Sequence, residues 1–442
     1  MVILQKYQNK KIAIYGMGIS GCSVARTFKT LKTKIFCWDD NEKVRKKIKK
    51  LNFPINKFWL NNNKNLIDYI AVSPGIDVNK CRIKNYLKKN PEKIITDLDL
   101  FFELNKDALV IAITGTNGKS TTCKIIEKIL KTAKYNVKVG GNIGRPVLSL
   151  KRSKKKNIFV LEISSYQLQY SKLFRSKHAA ILNISEDHLE RHRNITNYIK
   201  IKTRIFFAQG SSDYSYINSR NKHSKLITNI FKHKKLKSKL ISINKYDCNL
   251  LLKKINNRYF KSIGNIENLK FAYKISKNFK ISDLTIIKAL NKFKGLPHRQ
   301  EIIFSNKHLT CVNDSKATSF NACLQSLSIY NKIYWIVGGL PKHQDYFKLK
   351  NVSKKIIKAY IIGKNTSFFS KQIKNNIQYK ISNSIKNAIQ NIFEDIKITK
   401  NEKSTILLSP AAASFDQYTN FEDRGSHFKR LVIKKLKKIS NV

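Results

Sequence analysis

The chain has 442 residues and carries 87 lysines and arginines against 28 acidic residues, which gives a formal net charge of +59. Hydrophobic residues make up 42% of the sequence and aromatic residues 10%, enough to build cores, so a wholly disordered basic chain is excluded. The seven cysteines form no C-x-x-C pair and no zinc spacing, which argues against a disulfide framework or structural zinc and favours a reducing cytoplasm.

The N-terminal region predicts a strand, a glycine turn, a helix and a second strand between residues 11 and 40. The strands cover 11–15 and 34–38, the turn 16–21 follows the pattern G-x-G-x-x-G, and the helix runs to about residue 31. Such a turn lets the backbone approach a pyrophosphate at a helix N-terminus, which predicts a Rossmann-like nucleotide-binding unit. Asp39 lies close to the distance expected of a dinucleotide site, but any nucleoside diphosphate fits the same turn.

A second strand, at 109–113, is followed by the segment T-G-T-N-G-K-S-T at 114–121 and by a helix to about residue 131. This order is typical of a phosphate-binding loop. Backbone amides and the charge of Lys119 hold phosphate oxygens there, and the hydroxyl of Ser120 can ligate Mg²⁺. The standard motif has a glycine where this chain has Ile113, so the loop is a variant of that motif.

The apolar, β-branched run at 157–163 predicts a buried parallel strand that contains one carboxylate, Glu162. The end of a strand beside a phosphate loop is where an α/β sheet presents ligands. Glu162 is therefore a candidate Mg²⁺ ligand, either directly or through water. The alternative is an ion pair with a nearby lysine. Because burial makes an unpaired charge costly, the metal role is favoured.

The rest of the chain predicts further strands and helices. Residues 211–260 predict strands joined by solvated loops, with an exposed charged turn at 233–237. From Arg299 onward, short apolar strands at 333–337, 359–362 and 404–408 alternate with helices, and a basic helix at about 428–438 ends the chain. The sequence thus predicts an α/β protein, and its length favours two or three domains.

Seven motifs follow one another along the chain, at residues 114–121, 141–144, 161–168, 183–189, 295–299, 313–318 and 408–417. In this order they resemble the Mur ligase family, the ATP-dependent amide-forming ligases of peptidoglycan precursor synthesis, and the match runs nearly end to end. The phosphate loop with a non-glycine at its first position is the family's own form. Within the family, the last two motifs look most like the branch that adds D-glutamate to UDP-N-acetylmuramoyl-L-alanine.

The resemblance implies an α/β fold of three domains. These are an N-terminal Rossmann-like domain that binds UDP (1–95), a central P-loop-type domain that binds ATP (96–298) and a C-terminal Rossmann-like domain that binds the amino acid (299–442). The implied reaction phosphorylates a carboxylate with ATP, and an amine then attacks the acyl phosphate. Such chemistry depends on positioning and charge neutralisation. The loop residues that would hold ATP are Gly115, Thr116, Asn117, Gly118, Lys119, Ser120 and Thr121.

The resemblance also implies two Mg²⁺ sites. Ser120 and Glu162 would hold the first ion and His188 the second, so that two metals flank the transferring group. In this family a lysine carboxylated by CO₂ completes the second site, and the register indicates Lys202 rather than Lys200. The carbamate would be an anionic oxygen ligand, and its formation needs a neutral amine and therefore a depressed lysine pKa.

Further binding residues are implied for each substrate. Towards ATP they are Asn265, Asn268, Arg299 and Asp314. Towards the UDP-linked substrate they are Gly18, Ile19, Ser20, Asp39, Asp40, Ser73, Gly75, Asn142 and Ser164. Towards D-glutamate they are Lys316, Thr318, Lys342, Ser414, Phe415 and Phe421. The resemblance gives no support to His192 as a ligand, and His298 is expected to be structural.

The residues alone leave other interpretations open. Another Mur ligase or a folate-type polyglutamate ligase would share the chemistry, although the latter typically lacks a domain before the phosphate loop. The charge of +59 would suit a nucleic-acid-binding P-loop protein, but lysines spread through every segment favour compositional bias. The glycine turn would also suit an NAD-dependent oxidoreductase. We expect a cytoplasmic monomer without nucleic acid or membrane insertion, since no signal-type or membrane-length apolar segment is visible.

Overall fold

The computed structural model describes residues 6–31, 33–60, 67–142, 144–151, 157–342, 346–347, 350–398 and 403–440. These residues form three sheets that follow one another along the chain, which confirms the predicted α/β fold of three domains. One sheet falls in each of the ranges 1–95, 96–298 and 299–442, but these boundaries stay predictions. Within the described ranges, no helix combines the length and the apolar character needed to cross a membrane.

The first sheet is entirely parallel, with the strand order β2-β1-β3-β4. Its strands are β1 (Lys11–Tyr15), β2 (Lys34–Trp38), β3 (Tyr69–Val72) and β4 (Ile94–Ile95). The helices of this region are α1 (Ile19–Thr30), α2 (Glu42–Lys50), α3 (Lys84–Lys89) and α4 (Asp97–Leu104). The strand, turn and helix predicted at the N-terminus are therefore confirmed almost residue for residue.

The second sheet is also parallel, with the order β10-β9-β8-β5-β7-β6. Its strands are β5 (Leu109–Thr114), β6 (Val137–Gly141), β7 (Ile158–Glu162), β8 (His178–Ile181), β9 (Tyr214–Asn218) and β10 (Lys239–Ile243). Its helices are α5 (Lys119–Thr132), α6 (Ser165–Tyr170), α7 (Leu189–His192), α8 (Ile195–Thr203), α9 (Ser224–His233), α10 (Asn249–Lys253), α11 (Ile263–Asn278) and α12 (Asp283–Asn291). Strands β5 and β7 are neighbours, so the phosphate loop and Glu162 follow adjacent strands.

The prediction for residues 211–260 was partly wrong, because the region contains helices α9 and α10 between and after its two strands. Helix α9 is amphipathic. Its Ile227 and Phe231, four residues apart, are buried against the core of the second sheet, which is the spacing of one helix face. The many polar residues of the segment conceal this short apolar stripe.

The third sheet has the order β11-β12-β16-β13-β14-β15, with only the pair β11 and β12 antiparallel. Its strands are β11 (Glu301–Ser305), β12 (Leu309–Asn313), β13 (Ile333–Gly338), β14 (Ile356–Ile362), β15 (Tyr379–Asn383) and β16 (Ser404–Leu408). Its helices are α13 (Phe320–Ile329), α14 (Lys350–Ser353), α15 (Thr366–Ile373), α16 (Ile385–Ile398) and α17 (Phe421–Ser440). The terminal basic helix thus begins at Phe421 rather than near residue 428.

Helix α4 contributes to two cores. Leu98 and Phe101 are buried in the core of the second sheet, whereas Leu100 is buried in the core of the first. The helix starts with a capping box, in which Thr96 and Asp99 bind each other's backbone amides. By its contacts the chain forms two compact units, Met1–Asn256 with Glu267–Lys292, and Asn257–Ile266 with Phe293–Val442. Both cores that α4 joins lie in the first unit.

Candidate active site

The phosphate loop connects β5 to α5 and depends on two glycines with positive φ, Gly115 at +153° and Gly118 at +83°. A Cβ on Gly118 would lie 2.1 Å from Oδ1 of Asn268 and would displace that side chain, and the positive φ would strain any other residue, so glycine is favoured at this position. Asn268, one of the residues assigned to ATP, therefore packs directly on the loop. Helix α5 begins at Lys119, and the first amides of a helix have no partner within it, so they are suited to bind phosphate.

Lys119 folds back over the loop. Its Nζ donates to the carbonyl oxygens of Gly115 at 2.9 Å and Thr116 at 2.8 Å. The ammonium group thus lies against the carbonyl groups of Gly115 and Thr116, in the same loop as the amides that begin α5. A single positive charge beside a row of N–H donors matches the negative charge of a nucleoside triphosphate.

A neighbouring segment holds the loop in shape. The side chain of Asn183 pairs with the backbone of Asn117 in both directions, accepting from its N–H at 2.8 Å and donating to its carbonyl at 3.0 Å. The backbone N–H of Ser185 donates to Oγ1 of Thr116 at 3.1 Å. From the sequence this segment is only a family motif, and Asn183 was missed as a partner of the loop.

Glu162 ends β7 and is only 3% exposed. Its Oε2 accepts from Oγ of Ser120 at 2.6 Å, and its Oε1 accepts from Nδ2 of Asn142 at 2.8 Å. The predicted pair Ser120 and Glu162 is therefore brought together, and Asn142, which was assigned to the UDP-linked substrate, also binds Glu162. A hydroxyl and a carboxylate in contact at the start of a phosphate-binding helix are ligands that Mg²⁺ prefers.

Lys202 is buried on α8, with 1% of its surface exposed, whereas Lys200 is exposed. Its Nζ donates to the carbonyl of Gly115 at 3.0 Å and to Oγ1 of Thr114 at 3.3 Å. Burial, and then the charge of Lys119, lower the pKa of Lys202 well below its ordinary value. A buried and readily neutral amine beside the phosphate loop satisfies the chemical requirement for carboxylation.

Tyr198 forms the wall beside this amine and was not identified from the sequence. Its ring lies under Nζ of Lys202, 4.7 Å from nitrogen to centroid, and its hydroxyl is 3.3 Å from Oγ1 of Thr116. Tyr198 and Lys202 are four positions apart on one helix, so both lie on the same face. That spacing is the signal that could have indicated it.

His188 precedes α7 in the left-handed conformation, with φ of +55°. Its Nδ1 lies 3.1 Å from the hydroxyl of Tyr166, and its ring nitrogens are each 3.5 Å from a carboxylate, of Asp187 and of Glu190. The side chain is 44% exposed and so is accessible to a ligand. Within the described part of the chain, no three His, Cys, Asp or Glu side chains cluster closely enough to hold a metal ion.

His192 contrasts with His188. It is 3% exposed, and its Nε2 lies 3.0 Å from Oγ of Ser165. Burial, and then the nearby charge of His188, lower the pKa of His192 to about 4, so this ring is neutral at physiological pH.

Residues assigned to UDP stabilise the glycine turn of the first domain by hydrogen bonds. The backbone N–H of Met17 donates to Asp39 at 2.7 Å, and Oγ of Ser73 donates to the carbonyl of Gly16 at 2.5 Å. Asp40 accepts from the hydroxyl of Tyr15 at 2.5 Å. The other assigned residues of this region are Gly18, Ile19 and Ser20 at the start of α1 and Gly75 after β3. Ser164, also assigned to the UDP-linked substrate, lies in the second domain, where it caps α6.

In the third domain, Asp314 is buried and internally bonded. Its Oδ2 accepts from Ser326 at 2.5 Å and from Ser409 at 3.2 Å, and its Oδ1 accepts from the N–H of Gln300 at 3.2 Å. Burial raises the pKa of Asp314 to about 6. Asn265 donates to the carbonyl of Tyr259 at 2.8 Å. The other residue of this unit assigned to ATP is Arg299, which is half-buried.

The six residues assigned to the amino acid lie on segments that meet. Leu340 and Ala413 exchange backbone hydrogen bonds of 2.9 Å, which joins the segments of Lys342 and Ser414. Nζ of Lys316 lies 3.9 Å from the centroid of the Phe421 ring. Ser414 is buried, Thr318 and Phe421 are half-buried, and Lys342 and Phe415 are exposed. His298, beside Asn313 at 2.9 Å, is held within the unit.

Comparison with known proteins is consistent with this site. Residues 113–285 match the family model of the Mur ligase middle domain. The chain is 35% identical to UDP-N-acetylmuramoylalanine–D-glutamate ligase of Rickettsia bellii, over 96% of this chain and 98% of that protein. It is 31% identical to the protein of the same name from Rhizobium johnstonii, over 97% of this chain and 96% of the relative.

Solved structures share the fold. UDP-N-acetylmuramate-alanine ligase MurC from Thermotoga maritima aligns with a TM-score of 0.56 at 14% identity, over 97% of this chain and 99% of that chain. MurF ligase from the same organism, in complex with ADP, gives a TM-score of 0.57 at 14% identity, over 98% of this chain and 97% of that chain.

Three β-sheets with their helices follow one another along the chain, and in the second a phosphate loop lies beside a buried carboxylate. This combination defines a nucleotide-binding protein of the three-domain ligase type. The full-length sequence match then settles the family. The chain belongs to the Mur ligase family, and within it to the UDP-N-acetylmuramoylalanine–D-glutamate ligases.

Proposed function

We propose that this protein is an ATP-dependent amide-forming ligase that joins D-glutamate to UDP-N-acetylmuramoyl-L-alanine in peptidoglycan precursor synthesis. The observation that carries the proposal is the match to a relative of that name, which is 35% identical and covered over 98% of its length. The proposal includes a monomer in the cytoplasm, with no nucleic-acid partner and no membrane insertion.

The phosphate loop is the proposed ATP site. The loop residues Gly115 to Thr121 would hold the phosphate oxygens through those backbone amides that are not already bonded to Asn183, and Lys119 would exchange its loop carbonyls for phosphate. This arrangement would bring positive charge to the phosphoryl group that leaves ATP, and such charge neutralisation is the main protein contribution to phosphoryl transfer. Asn268, which packs on Gly118, would complete the nucleotide side of the loop.

Ser120 and Glu162 fit one Mg²⁺, because their oxygens are already in contact at 2.6 Å. His188 and a carbamate on Lys202 are the proposed ligands of a second Mg²⁺. Bound Mg²⁺ would neutralise charge on the phosphates and on the acyl carboxylate. The depressed pKa and the burial of Lys202 support its carboxylation, which needs the uncharged amine.

The two substrates that form the amide are assigned to the outer domains. In the first domain, the open glycine turn and the start of α1 would receive the UDP diphosphate. In the third domain, Lys316 and Lys342 supply positive charge, and Thr318 and Ser414 supply hydroxyls, for the carboxylates of D-glutamate. The acyl phosphate formed on the L-alanyl carboxylate would then be attacked by the amine of D-glutamate, with release of phosphate.

An amino-acid panel tests the proposal. The purified chain is incubated with ATP, Mg²⁺ and UDP-N-acetylmuramoyl-L-alanine, and phosphate release is measured with D-glutamate, L-glutamate, L-alanine, glycine, L-lysine or diaminopimelate. We expect phosphate release that depends on D-glutamate and on the UDP-linked substrate together. Turnover with L-alanine or diaminopimelate and none with D-glutamate would refute the assigned specificity.

A further inference from the structure

Arg424 is a buried charge in the first turn of α17. Only 1% of its surface is exposed, which is unusual for arginine. Burial lowers the pKa of Arg424 to about 10, with the carboxylate of Asp416 acting in the opposite direction, so the guanidinium remains protonated at neutral pH. The protein therefore retains a full positive charge inside this unit, at a cost that calls for a function.

The guanidinium bridges segments that are far apart in sequence. Its Nε donates to Oγ of Ser315 at 3.0 Å, and its Nη2 donates to the carbonyl oxygens of Ser315 at 2.8 Å and Ala412 at 2.9 Å. Ser315 in turn donates from its Oγ to the carbonyl of Phe421 at 2.8 Å. One side chain thus ties the segment after β12, the segment after β16 and the start of α17.

The remaining nitrogen faces a fourth segment. Nη1 is buried and has no hydrogen-bond partner among the described residues. It lies 3.2 Å from the position that a Cβ on Gly339 would take, so the glycine leaves room for it. Gly339 also sits against the carbonyl of Ala413. Gly339, in the segment 338–342, is therefore packed against the same guanidinium.

The segments around Arg424 are those that carry the proposed amino-acid pocket. Residues 315–318 bear Lys316 and Thr318, and residues 412–415 bear Ser414 and Phe415. Segment 338–342 bears Lys342, and α17 begins with the sixth pocket residue, Phe421. Arg424 itself is buried beneath them, so it is placed to set their spacing and not to touch the amino acid.

We propose that Arg424 is a positioning residue for the amino-acid pocket, which it holds by bridging Ser315 and Ala412. The inference rests on the proposed function. A planar fork with several donors can reach all three acceptors at once, whereas the single ammonium of lysine cannot hold them in the same geometry. Loss of the fork should therefore loosen the site of D-glutamate and leave the nucleotide sites intact.

Steady-state kinetics of Arg424→Lys, Arg424→Met and Ser315→Ala test the proposal. We expect the KM for D-glutamate to rise at least ~10-fold in both Arg424 variants and about threefold in Ser315→Ala, since that change removes one of three acceptors. The KM values for ATP and for the UDP-linked substrate should stay within about twofold. The matched control is Arg430, exposed on the same helix, whose Lys and Met variants should match the wild type.

Either of two results would overturn the proposal. One is a wild-type KM for D-glutamate in Arg424→Lys, which would show that the charge suffices without the fork. The other is an equal loss for all three substrates, which would indicate a general structural role. If Arg424→Met does not fold, Arg424→Lys and Ser315→Ala still decide, because the first keeps a long cationic side chain at position 424 and the second leaves Arg424 in place.

A second measurement separates this inference from the proposed function. If the wild type turns over another amino acid instead of D-glutamate, the proposed function fails and the same KM comparison is made with that amino acid. Independently of turnover, hydrogen exchange of the amides in 313–318 and 411–415 should be faster in Arg424→Lys than in the wild type. Unchanged exchange in both segments would refute the positioning role.

Discussion

Glu162 is a carboxylate that β7 carries into the interior beside the phosphate loop. One oxygen accepts from a hydroxyl and the other from an amide. Because neither partner is cationic, its negative charge stays available to a divalent ion. We expect Glu162→Gln to lower kcat at least ~100-fold, since the shape is kept and the charge is lost. Phosphate release measures the effect, and a melting temperature near that of the wild type controls for folding. Near-normal turnover of the variant would show that Glu162 is not a metal ligand.

Lys202 and Lys200 form a matched pair two residues apart on α8, one buried and the other exposed. Lys202→Ala should lose at least ~100-fold in turnover, because an anionic ligand is lost from the proposed metal site. Short carboxylates such as acetate or propionate should restore part of the activity by filling the space that the side chain leaves. Lys200→Ala should retain turnover within about twofold of the wild type. If short carboxylates rescued Lys200→Ala instead of Lys202→Ala, the carboxylated residue would be Lys200 and not Lys202.

Asp314 predicts a pH dependence of stability in the third domain. Its pKa is about 6 in the folded chain against an ordinary value of 3.8. The folded state therefore binds more protons between these values, and its stability falls as the pH rises from about 4 to about 6. Relative to Asp314→Asn, the wild type should lose up to about 3 kcal/mol of unfolding free energy across this range.

Tryptophan fluorescence can follow this change in the third domain alone. Trp335 is buried in the third sheet, and the other two tryptophans, Trp38 and Trp59, are buried in the core of the first domain. Urea unfolding in a Trp38→Phe/Trp59→Phe background, at pH 4.5 and pH 7.5, therefore reports the domain that contains Asp314. The Asp314→Asn variant in the same background is the reference at each pH. Parallel pH curves for the two chains would contradict the prediction.

At the scale of elements, the segment between β8 and α7 controls the shape of the phosphate loop. Asn183 makes two hydrogen bonds to the backbone of Asn117. Asn183→Ala should raise the KM for ATP about fivefold to 30-fold, since it removes two bonds that are each worth about 1 kcal/mol. The KM for D-glutamate should not change. Kinetics with Asn229→Ala, an exposed asparagine on α9, provide the control, and an unchanged KM for ATP in Asn183→Ala would refute this role.

Motif spacing explains what could be predicted at this scale. Lys119 and Ser120 belong to one turn, and Glu162 ends an apolar strand, so their common site could be predicted from the sequence. The hydrogen-bond partners of Asp40 and Asp314 could not be predicted from the sequence. Asp40 is engaged by Tyr15, and Asp314 accepts hydrogen bonds from two serines. Such partners come from other elements, and one-dimensional spacing does not report which elements will pack together.

The same reason explains why Arg424 and helix α9 were not foreseen. A basic residue in a lysine-rich terminal helix gives no sign that it is buried, because burial depends on Ser315 and Ala412 more than on its own neighbours. In α9, two apolar residues among polar ones give too short a stripe to distinguish a helix from a loop. Long-range packing, not local propensity, decided both cases.

For the whole molecule, 87 basic and 28 acidic side chains cannot neutralise one another. The surface potential is therefore positive whatever the protein binds, and it attracts small anions as well as polymers. ATP, the UDP-linked substrate and D-glutamate are all anionic. The charge is thus compatible with the proposed ligase, and it does not by itself indicate a nucleic-acid partner.

Because α4 contributes to two cores, the chain cannot be divided into fragments at this helix without damaging one of them. A fragment that stops at residue 95 lacks Leu100 and leaves the core of the first sheet open. A fragment that starts after residue 101 lacks Leu98 and Phe101, which belong to the second core. Leu100→Ala should cost about 2–5 kcal/mol and shift one shared calorimetric transition. Separate transitions for the first and second sheets, with only that of the first displaced, would show that these two sheets unfold independently. The first two sheets are thus expected to melt, and to resist proteolysis, as one cooperative body.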